Sequence, residues 1–502
     1  MRILEITIFA LTLIALVACL IPSLRKKRGF KYLPFVVLSL IPIHLLVDGY
    51  RWQMVPIFVF VFGFVLVQTF QLLRQPEKQF LVGKKLLRRV LIVLSFLVFL
   101  LTFIFPALLP VVDLPEPSGP YVVGTTSFRL VDDSREEIFS AALDDVRSVL
   151  VTAWYPTDAD EDGPVVRYWD EAGITGKAFS QNADMGTFWY SHLSRVKTNS
   201  YADPSISSRE ASYPVIIYSH SFAGLNTENT MLIEDLASHG YIVLSVAHPY
   251  EAIVLIYPDG EIVGADLDYI FDLYDAHTET EIRLYKDYEN TDDINKKIAL
   301  VNQILTVDDE STNLLRVRTE DVLFVLDELD HLNTDMVRIF NGKLDLERVG
   351  VMGYSFGGAT ALDVALTDER VKAGINLDGW PYGALFNAPD AAIAQPFMLI
   401  RSGDDDELED IVTNLMLEKM QGPSYLVSVA NTDHGNFWDF PLFFKIYQYL
   451  GYWQPFEATR LLEINSAYVR GFFDLYLKGD DVDLLSVSAA PYPEVMFEAI
   501  IP

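Results

Sequence analysis

Ser355 stands at the centre of Gly353-Tyr354-Ser355-Phe356-Gly357, a spacing suited to nucleophilic attack. A serine hydroxyl is a weak nucleophile until a base takes its proton and a pair of donors receives the oxyanion. Glycines two residues before and after the serine let a strand and a helix approach closely, leaving the serine exposed on the turn between them. The flanks suit that geometry. Arg348-Val349-Gly350-Val351-Met352 reads as a buried strand, and residues 357–366 (GGATALDVAL) read as a helix. A Gly-x-Ser-x-Gly element is common by chance, so the flanks carry much of its meaning.

Behind such an elbow the partners follow in the order acid, then histidine. Of the eight histidines, at 44, 192, 220, 239, 248, 277, 331 and 434, only His434 comes after Ser355. It lies in Asn431-Thr432-Asp433-His434-Gly435-Asn436-Phe437, just past a strand-like run, and is the expected base. The acid has two candidate positions. Asp378 ends the run VKAGINLD, and Asp404, Asp405 and Asp406 follow the next run. Both positions fall at carboxyl ends of strands, and pattern alone leaves them level. The backbone N–H of Phe356 is one expected oxyanion donor. The second is expected in Tyr218-Ser219-His220-Ser221-Phe222-Ala223-Gly224, with Phe222 the best placed and His220 bracing the loop. No His-x-x-x-His, Glu-pair spacing or Gly-rich phosphate loop occurs, so neither metal nor cofactor is expected.

These residues need a scaffold that gathers strand ends on one edge. Runs at 214–220, 241–248, 348–355, 371–378, 396–403 and 424–431 are short, rich in Val, Ile and Leu, and end in a polar residue or Gly. Helical stretches, such as 318–332, lie between them. Such alternation predicts a mostly parallel sheet flanked by helices, the α/β-hydrolase fold. Two stretches read as insertions. Residues 158–212 are polar and irregular, and 266–317 read as acidic helices forming a solvated cap or, in a functional version, a lid.

The start of the chain differs in kind. Residues 1–110 carry thirteen Lys/Arg and three Asp/Glu, whereas the rest carries 25 and 66. No nucleic-acid partner is expected of so acidic a part. Apolar segments at 3–23, 32–48, 54–73 and 90–110 approach the roughly 20 residues a spanning helix needs. The second is short and holds His44 and two prolines. Leu16-Val17-Ala18-Cys19 fits a bacterial lipoprotein cleavage box, but three further apolar segments follow it, so four membrane helices are the better reading. Cys19 is the only cysteine, so no intramolecular disulfide forms. The expected division is a membrane part at 1–111, a linker at 112–120 and a hydrolase domain at 121–502. Basic residues crowd the loops after the first and third segments (Arg25, Lys26, Lys27, Arg28, Lys31; Arg74, Lys78, Lys84, Lys85, Arg88, Arg89), which places those loops in the cytoplasm and the hydrolase domain outside. The segments lack an intramembrane charge pair, so simple anchoring is expected of them.

Several motifs together are more specific than the elbow. They are GPYVVGT at 119–125, Trp154-Tyr155-Pro156, YSHSFAG, DLASHGYIV, GYSFGGAT, NLDGW, DHGNFWDF, and FFDLYLKG at 472–479. Over roughly 120–480 the chain thereby resembles the platelet-activating factor acetylhydrolases of the plasma and intracellular type II family and their bacterial relatives. The resemblance implies Asp378, in Leu377-Asp378-Gly379-Trp380, as the acid beside Ser355 and His434, with Phe222 and Phe356 as oxyanion donors. It also implies calcium-independent hydrolysis of short or oxidised sn-2 acyl chains of phospholipids. The four-helix membrane part lies outside the resemblance, and a bacterial plasma membrane is the location expected of it. Ser221 and Phe222 stand where relatives often have Gly and a smaller side chain, which bears on pocket shape. A general esterase, a polyester- or peptide-directed hydrolase, or an acyltransferase would keep the same triad. A non-catalytic membrane sensor is the remaining alternative, and the presence of all three triad residues weighs against it.

Overall fold

The computed structural model describes residues 2–501 apart from 26, 74–81, 141, 143, 159–162, 170, 183–185, 266–277, 308–309, 337–338, 389, 404–405 and 487–490. Arg74, Lys78 and the first part of the second insertion thus lie outside the described residues. The chain forms two compact units. The first comprises Met1–Asp113 with Phe188–Val196 and Phe443–Ile446, and the second comprises the remainder.

The first unit is built on helices α1 (Ile3–Leu20), α2 (Arg28–Val47), α3 (Val55–Leu73) and α4 (Val82–Leu108). Among the described residues four helices are long and apolar enough to cross a membrane, α2 among them despite Pro34 and Pro42. Packing neighbours and local adjustments satisfy the backbone groups that such prolines free. Ile8, Phe9, Leu16, Val37, Ile57, Val61 and Phe99 form the bundle's interior. Val59, Phe62, Leu66, Phe70 and Leu100 are more than half exposed on its outside, an arrangement that suits hydrocarbon rather than water.

A charge pair reaches the first segment from outside it: Arg51, in the loop between the second and third apolar segments, donates from Nη1 to Glu5 Oε1 at 2.7 Å, and both side chains are buried. His44 Nε2 lies 3.6 Å from Glu5, and Arg51 Nη2 donates to the carbonyl of Leu109 at 2.6 Å. The partners are 46 residues apart, one in the first segment and the other in a loop. Only helix packing makes them a pair.

The second unit contains β1 (Val122–Glu136), β2 (Val146–Thr157), β3 (Val165–Arg167), β4 (Lys197–Ala202), β5 (Tyr213–Ser219) and β6 (Ile242–Ala247). A small hairpin of β7 (Val254–Ile256) and β8 (Ile262–Gly264) stands apart. Next come β9 (Leu344–Tyr354), β10 (Val371–Leu377), β11 (Phe397–Ser402), β12 (Ser424–Val429) and β13 (Val495–Ile500). The main sheet has the order β13-β12-β11-β10-β9-β5-β6-β2-β1-β4-β3. Its centre, from β6 to β12, is parallel, while β2 joins β6 and β13 joins β12 antiparallel. The six strands read from the sequence are these central ones. β5, β6 and β12 are buried along their whole length, because helices cover both faces. One face packs on the helices Glu310–His331, Phe356–Thr367 and Glu407–Glu418, the other on Thr230–Ser238 and Ala458–Phe473.

Within 158–212, β4 pairs with β1, so part of that stretch extends the main sheet. The described part of the second insertion consists of the helices Glu279–Glu289 and Ile294–Ile304 and the opening of the long helix Glu310–His331. In the Pro-rich stretch before β1, Ser118 N–H donates to Asp235 at 2.8 Å and Gly119 N–H to Ser238 Oγ at 3.0 Å.

Candidate active site

β9 ends in the elbow. Ser355 has φ +57° and ψ −121°, a conformation that costs a non-glycine residue about 1–3 kcal/mol, and its N–H donates to the carbonyl of Leu377 at 2.9 Å. The flanking glycines are required by contact distance. A Cβ on Gly353 would stand 2.2 Å from the carbonyl oxygen of Gly357, and one on Gly357 would stand 2.0 Å from that of Ser219. The serine is thus held at the head of the helix Phe356–Thr367, which places the Phe356 N–H in the first, unpaired turn.

β10 delivers Asp378 from the neighbouring strand, also at positive φ (+54°). Its N–H donates to the carbonyl of Ile400 at 2.7 Å, and its Oδ1 accepts from the N–H of Ser402 at 2.6 Å. The loop beyond it is stapled by Asn376, which accepts from Gly379 N–H at 2.7 Å and donates to its carbonyl at 2.9 Å. β12 delivers His434 on a short 3-10 turn. The Tyr354 hydroxyl donates to the His434 carbonyl at 2.7 Å, and the two rings stack with centroids 5.1 Å apart. His434 Nδ1 lies 2.7 Å from Asp378 Oδ2, and Nε2 lies 2.8 Å from Ser355 Oγ. The Asp378 side chain is 8% exposed and that of His434 54%, so the carboxylate is sheltered while the imidazole edge meets solvent. Desolvation lowers the imidazole pKa, but the hydrogen bond and charge of Asp378, aided by Glu409 and Asp433, outweigh it and raise the value above the ordinary one.

Among the alternative acids, Asp406 caps the helix Glu407–Glu418 by accepting from the Leu408 N–H at 2.8 Å. Asp404 and Asp405 lie outside the described residues. The cavity at Ser355 has a volume of ≈ 170 Å³ and is lined by Phe222, Trp380, Met416 and His434 among others. The rings of Phe222 and Phe356 meet edge to face at 5.9 Å.

The loop carrying Phe222 is fixed by two residues that sequence reasoning missed. Glu228 is buried, and it accepts from Ser221 N–H at 2.6 Å, Ser221 Oγ at 2.7 Å, Leu225 N–H at 3.3 Å and Tyr218 Oη at 3.2 Å. Desolvation pushes its carboxyl up to about 7 despite those bonds. Arg318, fully buried, donates to the carbonyls of His220 at 2.7 Å and Ser221 at 3.3 Å, and pairs with Glu251 at 2.8 Å. The available signal was a carboxylate seven residues after Ser221 within a buried stretch, and an arginine opening an otherwise core-facing helical run.

A second Ser-His-Asp chain lies behind the loop. Ser219 Oγ is 2.9 Å from His248 Nε2, and His248 Nδ1 is 2.9 Å from Asp321. All three are sealed from solvent, at 2%, 0% and 0% exposure, so substrate has no route to the hydroxyl. Burial lowers the pKa of His248 to about 4, leaving it a neutral strut. Asp321 also takes both arms of Arg147, at 3.0 and 2.7 Å. His220 sits on the same strut, with Nδ1 2.7 Å from the Ser221 carbonyl and Nε2 accepting from His248 N–H at 3.2 Å, which is the bracing role expected of it.

A parallel sheet with a serine elbow at the carboxyl edge of a central strand, and histidine and aspartate on neighbouring edges, defines an enzyme of the α/β-hydrolase class. The family model for platelet-activating factor acetylhydrolase, isoform II, matches residues 108–466, and the chain belongs to that family. It is 26% identical to a platelet-activating factor acetylhydrolase of Cavia porcellus over 335 residues, covering 65% of this chain and 69% of that one. It is 23% identical over 421 residues to a probable 1-alkyl-2-acetylglycerophosphocholine esterase of Arthroderma benhamiae, covering 76% and 93%. A ferulic acid esterase structure from Streptomyces cinnamoneus superposes with a TM-score of 0.59 at 26% identity, covering 77% of this chain and 98% of that one. The chain is a carboxylic ester hydrolase.

Proposed function

We propose that this chain is a calcium-independent serine esterase that releases short or oxidised acyl groups from phospholipid-like esters. The observation that carries the reading is the imidazole of His434, 2.8 Å from Ser355 Oγ on one side and 2.7 Å from Asp378 on the other. Asp378 keeps the proton on Nδ1, which leaves Nε2 free to accept from Ser355. Ser355 Oγ attacks the ester carbonyl as its proton passes to His434. The backbone N–H groups of Phe222 and Phe356 receive the oxyanion, and the tetrahedral intermediate collapses by releasing the alcohol, protonated by His434. Water, deprotonated by His434, then attacks the acyl-Ser355 ester and frees the acid. The names of the relatives support a phospholipid ester as substrate.

The four membrane helices anchor this unit to a bacterial plasma membrane, with the hydrolase on the outer side. The basic loops after the first and third apolar segments favour that orientation.

Ser355→Ala abolishes turnover of p-nitrophenyl acetate on this reading; activity near wild type sinks the assignment. A glycerol acceptor that diverts most product to an acylglycerol would favour an acyltransferase. Failure to label with a fluorophosphonate would favour a non-catalytic sensor. Labelling of intact cells by an impermeant fluorophosphonate checks the outer placement, and labelling only after lysis refutes it.

A further inference from the structure

The first insertion, within 158–212, takes no part in the proposed ester chemistry, yet it lines a cavity of ≈ 360 Å³, a volume in the range of ordinary small-molecule sites. Ser355, Asp378 and His434 are not among its walls. Its floor follows from the pairing of β1 with β2. The register sets Thr125 opposite Trp154 and Ser127 opposite Thr152, so these four side chains share one face of the sheet. The other face turns Leu130, Val149, Val151 and Ala153 into the core. Period-two alternation thus backs an apolar face with a hydroxyl-bearing one, and the insertion adds Tyr168, Trp169 and Thr175 above it. We propose that this cavity is a binding site for the ring of a neutral sugar, free or as the glycosyl headgroup of a lipid. The proposal does not depend on the reading of Ser355.

The polar groups on its walls are buried and still open to a ligand. Thr125, Thr175 and Asn226 are 7%, 6% and 8% exposed. Among the described residues, the hydroxyls of Thr125 and Thr175 and the amide oxygen of Asn226 have no hydrogen-bond partner. The Asn226 amide is nonetheless held in place, because its nitrogen donates to Thr152 Oγ1 at 2.9 Å, and Ser127 Oγ lies 2.9 Å from the same oxygen. Buried polar groups are costly without partners, and a cavity lined by them takes in a polar guest where an apolar one stays dry.

The chemistry of the walls selects the guest. A hydroxyl both donates and accepts, whereas a carboxylate or phosphate only accepts and an ammonium only donates. Walls of hydroxyls and one amide therefore match a partner made of hydroxyls. The charged side chains that line the cavity, Arg167, Glu171 and Asp203, are exposed and of both signs, so they belong to its rim. A charge carried past them would find no buried counter-charge. Trp154 and Trp169 add flat apolar surfaces for the C–H face of a sugar ring. Trp169 is set in advance: it stacks on Phe179 with centroids 5.2 Å apart and meets Phe440 edge to face at 5.9 Å.

The experiment reads binding, not turnover, with the full-length protein in lipid nanodiscs. Methyl glycosides of glucose, galactose and mannose are titrated by saturation-transfer NMR. At least one should bind, and neither glucose 6-phosphate nor 1-hexanol at equal concentration should displace it. Thr125→Val keeps the side-chain shape and removes the hydroxyl; it should weaken binding about fivefold, the factor one lost hydrogen bond provides, while Thr125→Ser restores it. Thr175→Val, on a different element, should act alike and covers the case in which the first variant fails to fold. Nanodiscs containing monoglucosyldiacylglycerol test the lipid-borne source. A rise in melting midpoint there that Thr125→Val removes, without a response to free glycosides, supports the proposal with the headgroup as ligand. No response to either source overturns it. So does an affinity unchanged in the folded valine variants, or displacement by glucose 6-phosphate. Glycoside binding that is lost in Ser355→Ala would place the ligand in the catalytic cavity and also overturns it. Turnover of p-nitrophenyl acetate by Thr125→Val should match wild type, so failure of the sugar site and failure of the esterase reading are told apart.

Discussion

Glu228 offers the sharpest test of how the proposed oxyanion loop is held. Its carboxylate receives four hydrogen bonds, two of them from Ser221, the neighbour of the proposed donor Phe222. Gly224 leaves room for it: a Cβ there would stand 2.2 Å from Glu228 Oε2. Glu228→Ala removes both acceptor oxygens, and with them all four bonds, at once. Arg318 still holds the carbonyls of His220 and Ser221, so the loop stays attached but loses the constraint on its N–H direction. A misdirected oxyanion donor costs about 2.7–4 kcal/mol, or 100–1000-fold in kcat, with KM little changed because the ground-state carbonyl does not depend on that donor. Glu228→Gln keeps an oxygen for the Ser221 N–H and an amide that can donate to Ser221 Oγ. It should stay within about tenfold of wild type on the same scale. Steady-state kinetics on p-nitrophenyl acetate, with circular dichroism and a melting curve to establish folding, distinguish the cases. A folded Glu228→Ala enzyme with kcat within threefold of wild type would refute the argument. So would Glu228→Gln falling as far as the alanine variant, because then geometry at Ser221 is not what matters.

Gly357→Ala should prevent the elbow from closing, since its Cβ would stand 2.0 Å from the Ser219 oxygen, and fluorophosphonate labelling should be lost; labelling at the wild-type rate contradicts that. On the proposed mechanism the rate needs neutral His434, whose pKa is raised, so kcat/KM should fall with acidification through a midpoint above the roughly 6.5 of an ordinary imidazole. Asp378→Asn should lower kcat by about 10⁴ and move that midpoint downward, and a midpoint that stays put shows that Asp378 is not the cause. In the bundle, Arg51→Leu leaves Glu5 buried without its partner and should cost about 3–5 kcal/mol. The double change Glu5→Leu with Arg51→Leu should recover most of that in unfolding titrations in bicelles, and equal losses for single and double variants would show that the pair is not coupled.

What was legible in the sequence follows from how local each signal is. The elbow is local: Gly353, Ser355 and Gly357 sit within five residues, and the strand and helix that flank them are continuous apolar runs. The central strands were readable for the same reason, since burial on both faces leaves unbroken runs such as PVIIYS in β5. The outer strands were not. β1 alternates between buried and exposed along a length broken by polar residues, and β13 is largely exposed, so neither forms an apolar run. Asp378 could not be told from Asp404–Asp406 by pattern, because both positions end strands. The distinction depends on which strand end faces His434, and it is visible only once β10 lies against β9.

The charges that matter most were the least legible. Glu228, Arg318, Asp321 and Arg147 look in sequence like the solvated faces of helices and strands, yet all four are buried, and three of them join in one network with Glu251 and His248. Burying that many ions is costly unless each finds partners. Here the partners include the backbone carbonyls of His220 and Ser221, which carry the proposed oxyanion loop. Replacing the network by apolar residues of equal volume could keep the core packed. It would leave those carbonyls without donors and the Phe222 loop held by Glu228 alone. The reason to retain such charges is then geometric: they set the loop's orientation, which hydrophobic packing, being non-directional, cannot do.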